Sequence, residues 1–367
     1  MTRPDVHPVR RVALALLASS FALLFASCAT SGGKSAAAGA APIPVKAVIV
    51  TLFEVGEDTG DKPGEFQFWV ERENLVGNHP VTGAWRPVRE GTNGVIGICT
   101  GVGNIRSAAS ITALGLDPRY DLSKAYWLVA GIAGIDPADG TLGCAAWAEH
   151  VVDGDLAHEI DAREIPAGWP DGYAPLGTAD PSAAPSARRS DQVYYPLNTS
   201  LTRWAFKLTK DTVLPDDDKM QFNRARYTGF PNAQRPPFVL IGDNLAGSTF
   251  WHGKRMNAWA NRWVKLWTKD QGNYVTTAME ESGTMQALTW LARDGKVDTN
   301  RVLVLRTASN FDMPPPGMDA AASLAEENGG AYSAFLPSLE SAHRVGSKVL
   351  HELVNGWERF RNTPPKP

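Results

Sequence analysis

The sequence predicts an α/β fold, a three-layer αβα sandwich around a central mixed sheet. Two observations support this prediction. Continuous apolar runs of strand length recur along the 367 residues, as strands buried on both faces require. Segments with apolar residues at helical spacing follow several of these runs, so that strands and helices alternate. The composition, 43% hydrophobic and 20% charged, is that of an ordinary globular protein and supplies enough apolar surface for one large domain.

The predicted elements follow from these two patterns. Strands are expected within 45–53, 94–103, 124–134, 142–155, 238–247, the first part of 273–295 and 300–312. Helices are expected after the second strand, at about 251–267, in the second part of 273–295 and at 337–360. We interpret 45–367 as one catalytic domain. Two stretches, 56–92 and 161–235, fit the alternation poorly and are interpreted as insertions.

The first 27 residues have the composition of a lipoprotein signal peptide. Three arginines lie before or at the start of an apolar stretch (12–25) that is too short to span a membrane comfortably. Small residues then precede Cys28, a pattern that resembles a lipobox and predicts acylation of Cys28. A plain secretory signal is the alternative. No aspartate follows Cys28, which favours a periplasmic lipoprotein anchored in the outer membrane.

Residues 28–44 are rich in small residues and are predicted to be a flexible tether. After it, the sequence contains no run of 18 apolar residues, so the lipid anchor is the only membrane attachment expected. The net charge of −3 and the absence of a basic stripe argue against a nucleic-acid partner. Cys99 and Cys144 lie in apolar runs and are predicted to be buried free thiols rather than a disulfide.

A glycine-bearing turn, "TGVGNIRSAAS" (100–110), joins a predicted strand to a predicted helix. Gly101 and Gly103 permit close approach of the backbone, and the helix start at Asn104 presents N–H groups to an anion or a sugar. The third glycine of the dinucleotide-binding fingerprint is missing. The turn is therefore a candidate substrate contact, with a purely structural tight turn as the alternative.

Two further segments place polar or aromatic residues just after a predicted strand. In "IGDNLAGSTFWHG", Phe250 and Trp251 could stack on a flat ring. In "LRTASNFD", Asn310 and Asp312 lie at a carboxyl strand end, where open α/β sheets bind ligands. A packed loop and an Asx turn are the respective alternatives. The acidic and histidine residues of "AHEIDAR" lack a second cluster at ligand spacing, so no metal site is predicted.

The segment "TAMEESGTMQAL" (277–288) sets two adjacent acids, Glu280 and Glu281, among small and apolar residues. They stand where a predicted strand turns into a helix that should be largely buried. A carboxylate at a helix start is favoured by the helix dipole. Such a placement is also suited to holding the hydroxyls of a ligand.

In their order along the chain, these segments resemble the nucleoside phosphorylase and nucleosidase superfamily. Most of 45–360 is more specifically similar to the purine nucleoside permeases. The stretches that carry this closer resemblance are "GDKPGEFQFWVERENL", "GDNLAGSTFWHGK" and "MEESGTMQAL". The resemblance implies a nucleoside phosphorylase-like fold and a purine nucleoside as the ligand.

The resemblance also implies roles for individual residues. Met279 is expected under the ribose, and Glu280 is expected to accept hydrogen bonds from its 2′ and 3′ hydroxyls. Asn310 corresponds to the residue that contacts the base at N7, which an amide can do by hydrogen bonding alone. This favours 6-oxopurine nucleosides and leaves Asp312 as a substitute general acid.

The acid that activates water in the nucleosidases corresponds to a position near Glu54, with Glu57 and Asp58 as open alternatives. The superfamily's phosphorylases take arginines from two regions, 53–61 and 129–140, and neither has one here. Hydrolysis of the N-glycosidic bond is therefore favoured over phosphorolysis. Phosphate stays a candidate co-substrate, with no other cofactor expected.

Four arginines could still replace the missing phosphate ligands: Arg72, Arg86, Arg89 and Arg106. A different class of function is a lipid-tethered nucleoside-binding protein that assists transport, because the group's name implies uptake. A third alternative is a scaffold whose site has decayed. Relatives in the superfamily are commonly oligomers, so a homo-oligomer is a further expectation.

Overall fold

A mixed sheet of twelve strands organises the computed structural model, which describes residues 41–330 and 334–367. The predicted signal peptide, Cys28 and most of the tether lie outside the described residues. In chain order the strands are β1 (Ile43–Pro44), β2 (Ala47–Thr51), β3 (Gly77–His79), β4 (Val88–Glu90), β5 (Val95–Cys99), β6 (Tyr120–Asp121), β7 (Tyr126–Ile135), β8 (Ala145–Trp147), β9 (His150–Asp153), β10 (Ala157–Glu159), β11 (Tyr173–Pro175), β12 (Tyr194–Pro196), β13 (Val239–Ile241), β14 (Asp243–Ala246), β15 (Tyr274–Ala278) and β16 (Val302–Phe311).

The helices pack against the two faces of this sheet. They are α1 (Gln67–Arg72), α2 (Asn104–Gly115), α3 (Ala187–Val193), α4 (Thr199–Thr209), α5 (Asp218–Ala225), α6 (Lys254–Thr268), α7 (Glu281–Arg293), α8 (Ala320–Gly330), α9 (Phe335–Asn355) and α10 (Trp357–Phe360), with a 3₁₀ turn at Thr299–Arg301. Several predicted elements are shorter than expected. The strand predicted at 142–155 is divided into β8 and β9, and the final helix is divided at Gly356 into α9 and α10.

The sheet branches at β7, its central strand. One path runs β12-β9-β14-β15-β7-β2-β5-β4-β3, and a second leads from β7 through β16 and β8 to β13. β7 is parallel to β2 and β16 but antiparallel to β15, which makes the sheet mixed. The predicted α/β class with a central mixed sheet is confirmed. Because β2, β7 and β16 run in the same direction, their carboxyl ends meet at one edge, where ligands of such folds bind.

Alternate residues of β2 show why its sequence is continuously apolar. Val48 and Val50 pack in one core with residues of α2 and α7. Ala47 and Ile49 belong to a second core on the opposite face, with residues of α9 and α4. Every side chain of the strand is therefore buried. The apolar surface buried on both faces offsets the conformational entropy that is lost when the strand becomes ordered.

Both stretches interpreted as insertions contribute elements to the compact unit Ala41–Pro367. In 56–92, β4 pairs with β5 and so extends the sheet, while Trp69 of α1 is buried in the core. In 161–235, β12 pairs with β9 at the far edge of the sheet. Cys99 and Cys144 are free and buried, as predicted, and burial raises the pKa of the Cys144 thiol to about 11.

Candidate active site

A cavity of about 270 Å³ lies at the edge where β2, β7, β15 and β16 end. This volume is near the lower limit of small-molecule sites, about 300 Å³. Its wall is largely apolar: Phe53, Val102, Ile132, Ala133, Gly134, Phe250, Trp251, Ala278, Met279 and Phe335. A smaller set of polar residues completes it: Glu65, Thr249, Thr277, Glu280, Arg306, Ser309 and Asn310. An apolar cavity with a few converging polar groups is the usual form of a ligand site.

The cavity unites five of the residues that the sequence singled out, which are Phe250, Trp251, Met279, Glu280 and Asn310. They come from three separate segments of the chain. Met279 and Glu280 follow β15, and Asn310 belongs to the last part of β16. The Asn310 side chain accepts a hydrogen bond from Ser309 Oγ (2.9 Å) and donates one to the carbonyl of Phe311 (3.1 Å).

The glycine-bearing turn supports the cavity without lining it, apart from Val102. The N–H of Gly103 donates to Glu280 Oε1 at 3.2 Å. Asn104 Oδ1 accepts the N–H of Gly283 at 2.9 Å, which joins the starts of α2 and α7. Gly101 has a φ of +89° and packs against Arg106. Gly101, Gly103 and Asn104 do not line the cavity, and direct contact of these residues with a substrate stays a prediction; Gly103 positions Glu280, and Asn104 positions its helix.

Glu54 also departs from its expected place. Its carboxylate accepts the N–H groups of Phe66 (2.8 Å) and Gln67 (2.7 Å), and it bonds to Gly64 as well. These are the free donors at the start of α1, so Glu54 is a helix cap outside the cavity lining. Asp58, one of the alternatives, is paired with Arg86 and Arg89.

Asp312 is buried beneath the site and does not line the cavity. Its carboxylate accepts hydrogen bonds from Tyr274 and, at 3.1 Å, from Asn257 Nδ2. Burial raises the pKa of Asp312 well above its usual range, and the nearby Asp136 raises it further. The side chain is therefore placed as a buried structural group rather than as the expected general acid.

Arg306 is the charged centre of the site, and sequence reasoning assigned it no role. The side chain is fully buried in β16. It donates from Nη2 to Glu280 Oε2 (3.1 Å) and from Nη1 to the carbonyl of Ile132 (2.8 Å), and it forms an ion pair with Glu281. Glu65 Oε1 lies 3.8 Å from Nη1. The two adjacent glutamates therefore pair with the same guanidinium. Glu280 lines the cavity, whereas Glu281 pairs with Arg306 outside the cavity lining.

Glu65 is the second functional residue that sequence reasoning missed. It follows the loop after β2 and lines the cavity close to Arg306. Its oxygens accept the N–H groups of Leu52 (2.8 Å) and Ile132 (2.7 Å). Burial raises the pKa of Glu65 to about 8; Arg306 opposes this shift and Glu280 adds to it. The carboxyl group therefore titrates near neutral pH, as is typical of acid–base catalysts.

The raised pKa of Glu65 predicts a pH dependence of stability. Between 4.5 and about 8 the folded chain keeps a proton that the unfolded chain releases. The stabilisation by Glu65 is therefore complete below pH 4.5 and is lost as the pH rises towards 8, by at most about 1.4 kcal/mol per pH unit. Urea unfolding at pH 5, 6.5 and 8 should show a steeper decline in wild type than in Glu65→Gln. Parallel curves would contradict the assignment.

Of the two missed residues, only Arg306 left a signal in the sequence. An arginine within the apolar run "VLVLRTAS" must be paired, because a lone buried charge is too costly. The adjacent glutamates 280 and 281, also among apolar residues, are complementary to it. Glu65 belongs to "GDKPGEFQFWVERENL", a stretch that carries the family resemblance, but no local pattern distinguishes it from the other acids there.

The arrangement of strands and cavity defines a protein of the nucleoside phosphorylase and nucleosidase fold. Two solved structures from Helicobacter pylori share it. A mutant MTAN with 5′-methylthioadenosine in its active site superposes with a TM-score of 0.50 at 15% identity, covering 84% of this chain and 99% of the other. A futalosine hydrolase superposes with a TM-score of 0.50 at 16% identity, covering 84% and 98%.

Within this fold the chain belongs to the purine nucleoside permease family, whose model matches residues 44–365. A Schizosaccharomyces pombe protein named a probable purine nucleoside permease is 33% identical over 70% of this chain and 75% of its own length. A Candida albicans protein named purine nucleoside permease is 30% identical, over 88% and 78%. The expected family is confirmed. None of the helices within 41–330 and 334–367 is long and apolar enough to cross a membrane.

Proposed function

We propose that this protein binds a purine nucleoside in the cavity and hydrolyses its N-glycosidic bond. The observation that carries the proposal is that Glu65 and Glu280 line one cavity with Arg306 between them. A titratable acid and a fixed carboxylate, set opposite an apolar wall, suit a ligand with one hydroxyl-rich part and one flat part.

The ribose is assigned to Met279 and Glu280. A carboxylate can accept hydrogen bonds from two vicinal hydroxyls at once, and such charge-assisted bonds are stronger than neutral ones. Glu280 is already fixed by Arg306, by the N–H of Gly103 and by the N–H of Met279 (3.2 Å). A preorganised acceptor of this kind loses little entropy when the sugar binds.

The base is assigned to the part of the lining that Phe250, Trp251 and Asn310 form. The aromatic side chains provide surfaces for a flat heterocycle. Asn310 Nδ2 uses one hydrogen for the carbonyl of Phe311 and keeps a second for the purine N7. Hydrogen bonding at N7 stabilises the charge that develops on the leaving base. An amide supplies no proton, which favours 6-oxopurine nucleosides such as inosine.

Glu65 is assigned to the attacking water. In its ionised form it accepts a proton from water as the oxygen attacks C1′, and the bond from C1′ to the base nitrogen breaks with its electron pair going to the base. The proton then passes from Glu65 through solvent to the purine anion, so that ribose and the neutral purine result and Glu65 is ionised again. A pKa near the working pH keeps an appreciable fraction of Glu65 ionised while leaving it basic enough to take the proton. The positive charge of Arg306 is matched by the carboxylates around it, so it orients these groups and does not bind the substrate itself.

The placement of the cationic side chains favours hydrolysis over phosphorolysis. Arg306 is the only Arg or Lys lining the cavity within the described residues, and it is already paired. The four arginines considered as phosphate ligands all have other contacts: Arg86 and Arg89 with Asp58, Arg72 with Glu340, and Arg106 with the carbonyl of Val102. Phosphate would therefore meet carboxylates in the cavity without a free cation.

The test is turnover of inosine by the domain from residue 45, with and without phosphate. We expect hypoxanthine and ribose to form at the same rate in both conditions. Ribose 1-phosphate as the product, or a strict need for phosphate, would overturn hydrolysis. Glu280→Gln should lower kcat/KM for inosine about 10- to 100-fold, because the substitution weakens one or two hydrogen bonds to a charged group.

The names of the relatives favour a second candidate, a nucleoside-binding protein that assists transport. This candidate would be tethered through an acyl chain on Cys28 at the outer membrane, facing the periplasm. A binder retains inosine intact during long incubation with excess protein, whereas an enzyme releases hypoxanthine.

Metabolic labelling with palmitate tests the lipid anchor separately, and we expect the label to be lost in Cys28→Ala. Sedimentation of the soluble domain tests the expected homo-oligomer.

A further inference from the structure

A serine, a histidine and a glutamate form a connected group away from the nucleoside cavity. Ser323 Oγ lies 2.9 Å from His252 Nε2, within hydrogen-bonding distance. On the other side of the ring, His252 Nδ1 lies 3.8 Å from Glu327 Oε1. Ser323 and Glu327 are four residues apart on α8, so they lie on the same face of that helix, and His252 just precedes α6.

Two atoms of this group have no other partner. His252 Nδ1 and Glu327 Oε2 are buried and make no hydrogen bond with any group of residues 41–330 and 334–367. A buried polar group without a partner costs free energy, and in native structures it often has a functional reason. The Ser323 hydroxyl therefore lies beside one ring nitrogen of His252, and the Glu327 carboxyl lies beside the other.

The group opens onto a cavity of its own. Ser323 and Glu327 line a space of about 550 Å³ that shares no lining residue with the nucleoside cavity. Phe222, Tyr227 and Phe311 form apolar parts of its wall. A small ester with an apolar acyl group could therefore approach the Ser323 hydroxyl without entering the site of Glu280 and Arg306.

We propose that Ser323, His252 and Glu327 form a nucleophilic triad that hydrolyses carboxylic esters with a short apolar acyl group. Triads of this kind are identified by the geometry and roles of their members and not by their order in the sequence. The distance from His252 to Glu327 is longer than the hydrogen bond of a working triad, and such contacts are often looser without a ligand.

The reaction balances with water as the only other reactant. Ser323 Oγ forms a bond to the acyl carbon while its proton passes to His252 Nε2. The bond from the acyl carbon to the alcohol oxygen then breaks, and the alcohol leaves with that proton. Water repeats the sequence on the acyl-enzyme, giving the carboxylic acid and free Ser323. Glu327 orients the ring and stabilises the imidazolium, in the manner of the third triad member.

Burial shifts the pKa values of both titratable residues of the triad, His252 and Glu327. It lowers the pKa of His252, which keeps the ring neutral and able to accept a proton. It raises the pKa of Glu327 to about 8. The carboxylate form of Glu327, which stabilises the imidazolium, therefore predominates only above about pH 8, and ester hydrolysis should be fastest there.

The experiment is labelling of the folded domain with a fluorophosphonate probe, together with hydrolysis of p-nitrophenyl butyrate. We expect the probe to react with Ser323, as located by peptide mass spectrometry. Ester hydrolysis should fall at least about 100-fold in Ser323→Ala and in His252→Gln. Glu352→Gln is the control for Glu327→Gln: it alters a carboxylate of α9 that pairs with Arg359 at the surface, outside this cavity, and should retain full ester hydrolysis.

A wild-type domain that unfolds cooperatively but does not react with the probe would overturn the triad. Labelling or ester hydrolysis that persists in Ser323→Ala would overturn it as well. These assays contain no nucleoside, so their result is independent of whether inosine is cleaved.

Discussion

In Glu65→Gln, we expect kcat for inosine hydrolysis to fall by about 10²- to 10⁴-fold, the contribution of a positioned general base. The substitution keeps the size of the side chain but removes the group that takes the proton from water. Because Glu65 is assigned to the water and not to the sugar or the base, binding of inosine should change little. Stopped-time assays of hypoxanthine release, with inosine affinity from calorimetry, separate the two quantities.

The same substitution has a structural cost that must be measured beside the kinetics. Both oxygens of Glu65 accept backbone N–H groups, and the amide nitrogen of glutamine would face one of these donors. We expect a loss of about 1–3 kcal/mol in unfolding free energy. Kinetic assays are therefore made at a temperature where unfolding curves show the variant to be folded.

Glu54→Gln is the matched control for this prediction. Glu54 and Glu65 lie in the same part of the chain, and both carboxylates accept backbone N–H groups. Glu54 is a cap of α1 outside the cavity lining, so its substitution should lower stability by about 0.5–2 kcal/mol and leave kcat nearly unchanged. If Glu54→Gln lost activity and Glu65→Gln kept it, the acid near the first strand would be the catalytic one and our assignment would be wrong.

The sequence predicted those features that depend on periodicity. Apolar runs located β2, β5, β7 and β16, because a strand buried on both faces must be apolar at every position. Asn310 was placed at a ligand site because it lies at the carboxyl end of a strand, and the family resemblance assigned Met279 and Glu280 to the same ligand. The branching of the sheet at β7 was not foreseen, because pairing between distant strands leaves no local signal.

The differences between the expected and the observed site have a common cause. Glu65 lines the cavity and Glu54 does not because of the direction of their side chains, which depends on the path of the loop between them. Residue type and spacing contain no information on that path. Gly103 and Asn104 were assigned to the substrate because a glycine-bearing helix start suits an anion. In the structure, the side chains of Glu280 and Ser248 take these N–H groups before any ligand can.

We expect Arg306→Met to have the largest effect on stability, a loss of about 3–5 kcal/mol in the free energy of unfolding at neutral pH. The methionine fills a similar volume but leaves Glu65, Glu280 and Glu281 buried together without a cation. The remaining carboxylates can reduce this cost only by taking up protons. The loss should therefore be smaller at pH 5 than at pH 8, whereas the loss from removal of a surface ion pair would differ little between these two pH values.

Urea unfolding at both pH values measures this difference, and Arg106→Met is the control. Arg106 is an exposed side chain that donates to the carbonyl of Val102, so its replacement should change stability by no more than about 0.5 kcal/mol at either pH. An Arg306→Met variant as stable as wild type at pH 8 would mean that the three carboxylates do not depend on this guanidinium. Since Arg306 also fixes the orientation of Glu280, that result would remove the physical basis for a preorganised ribose site.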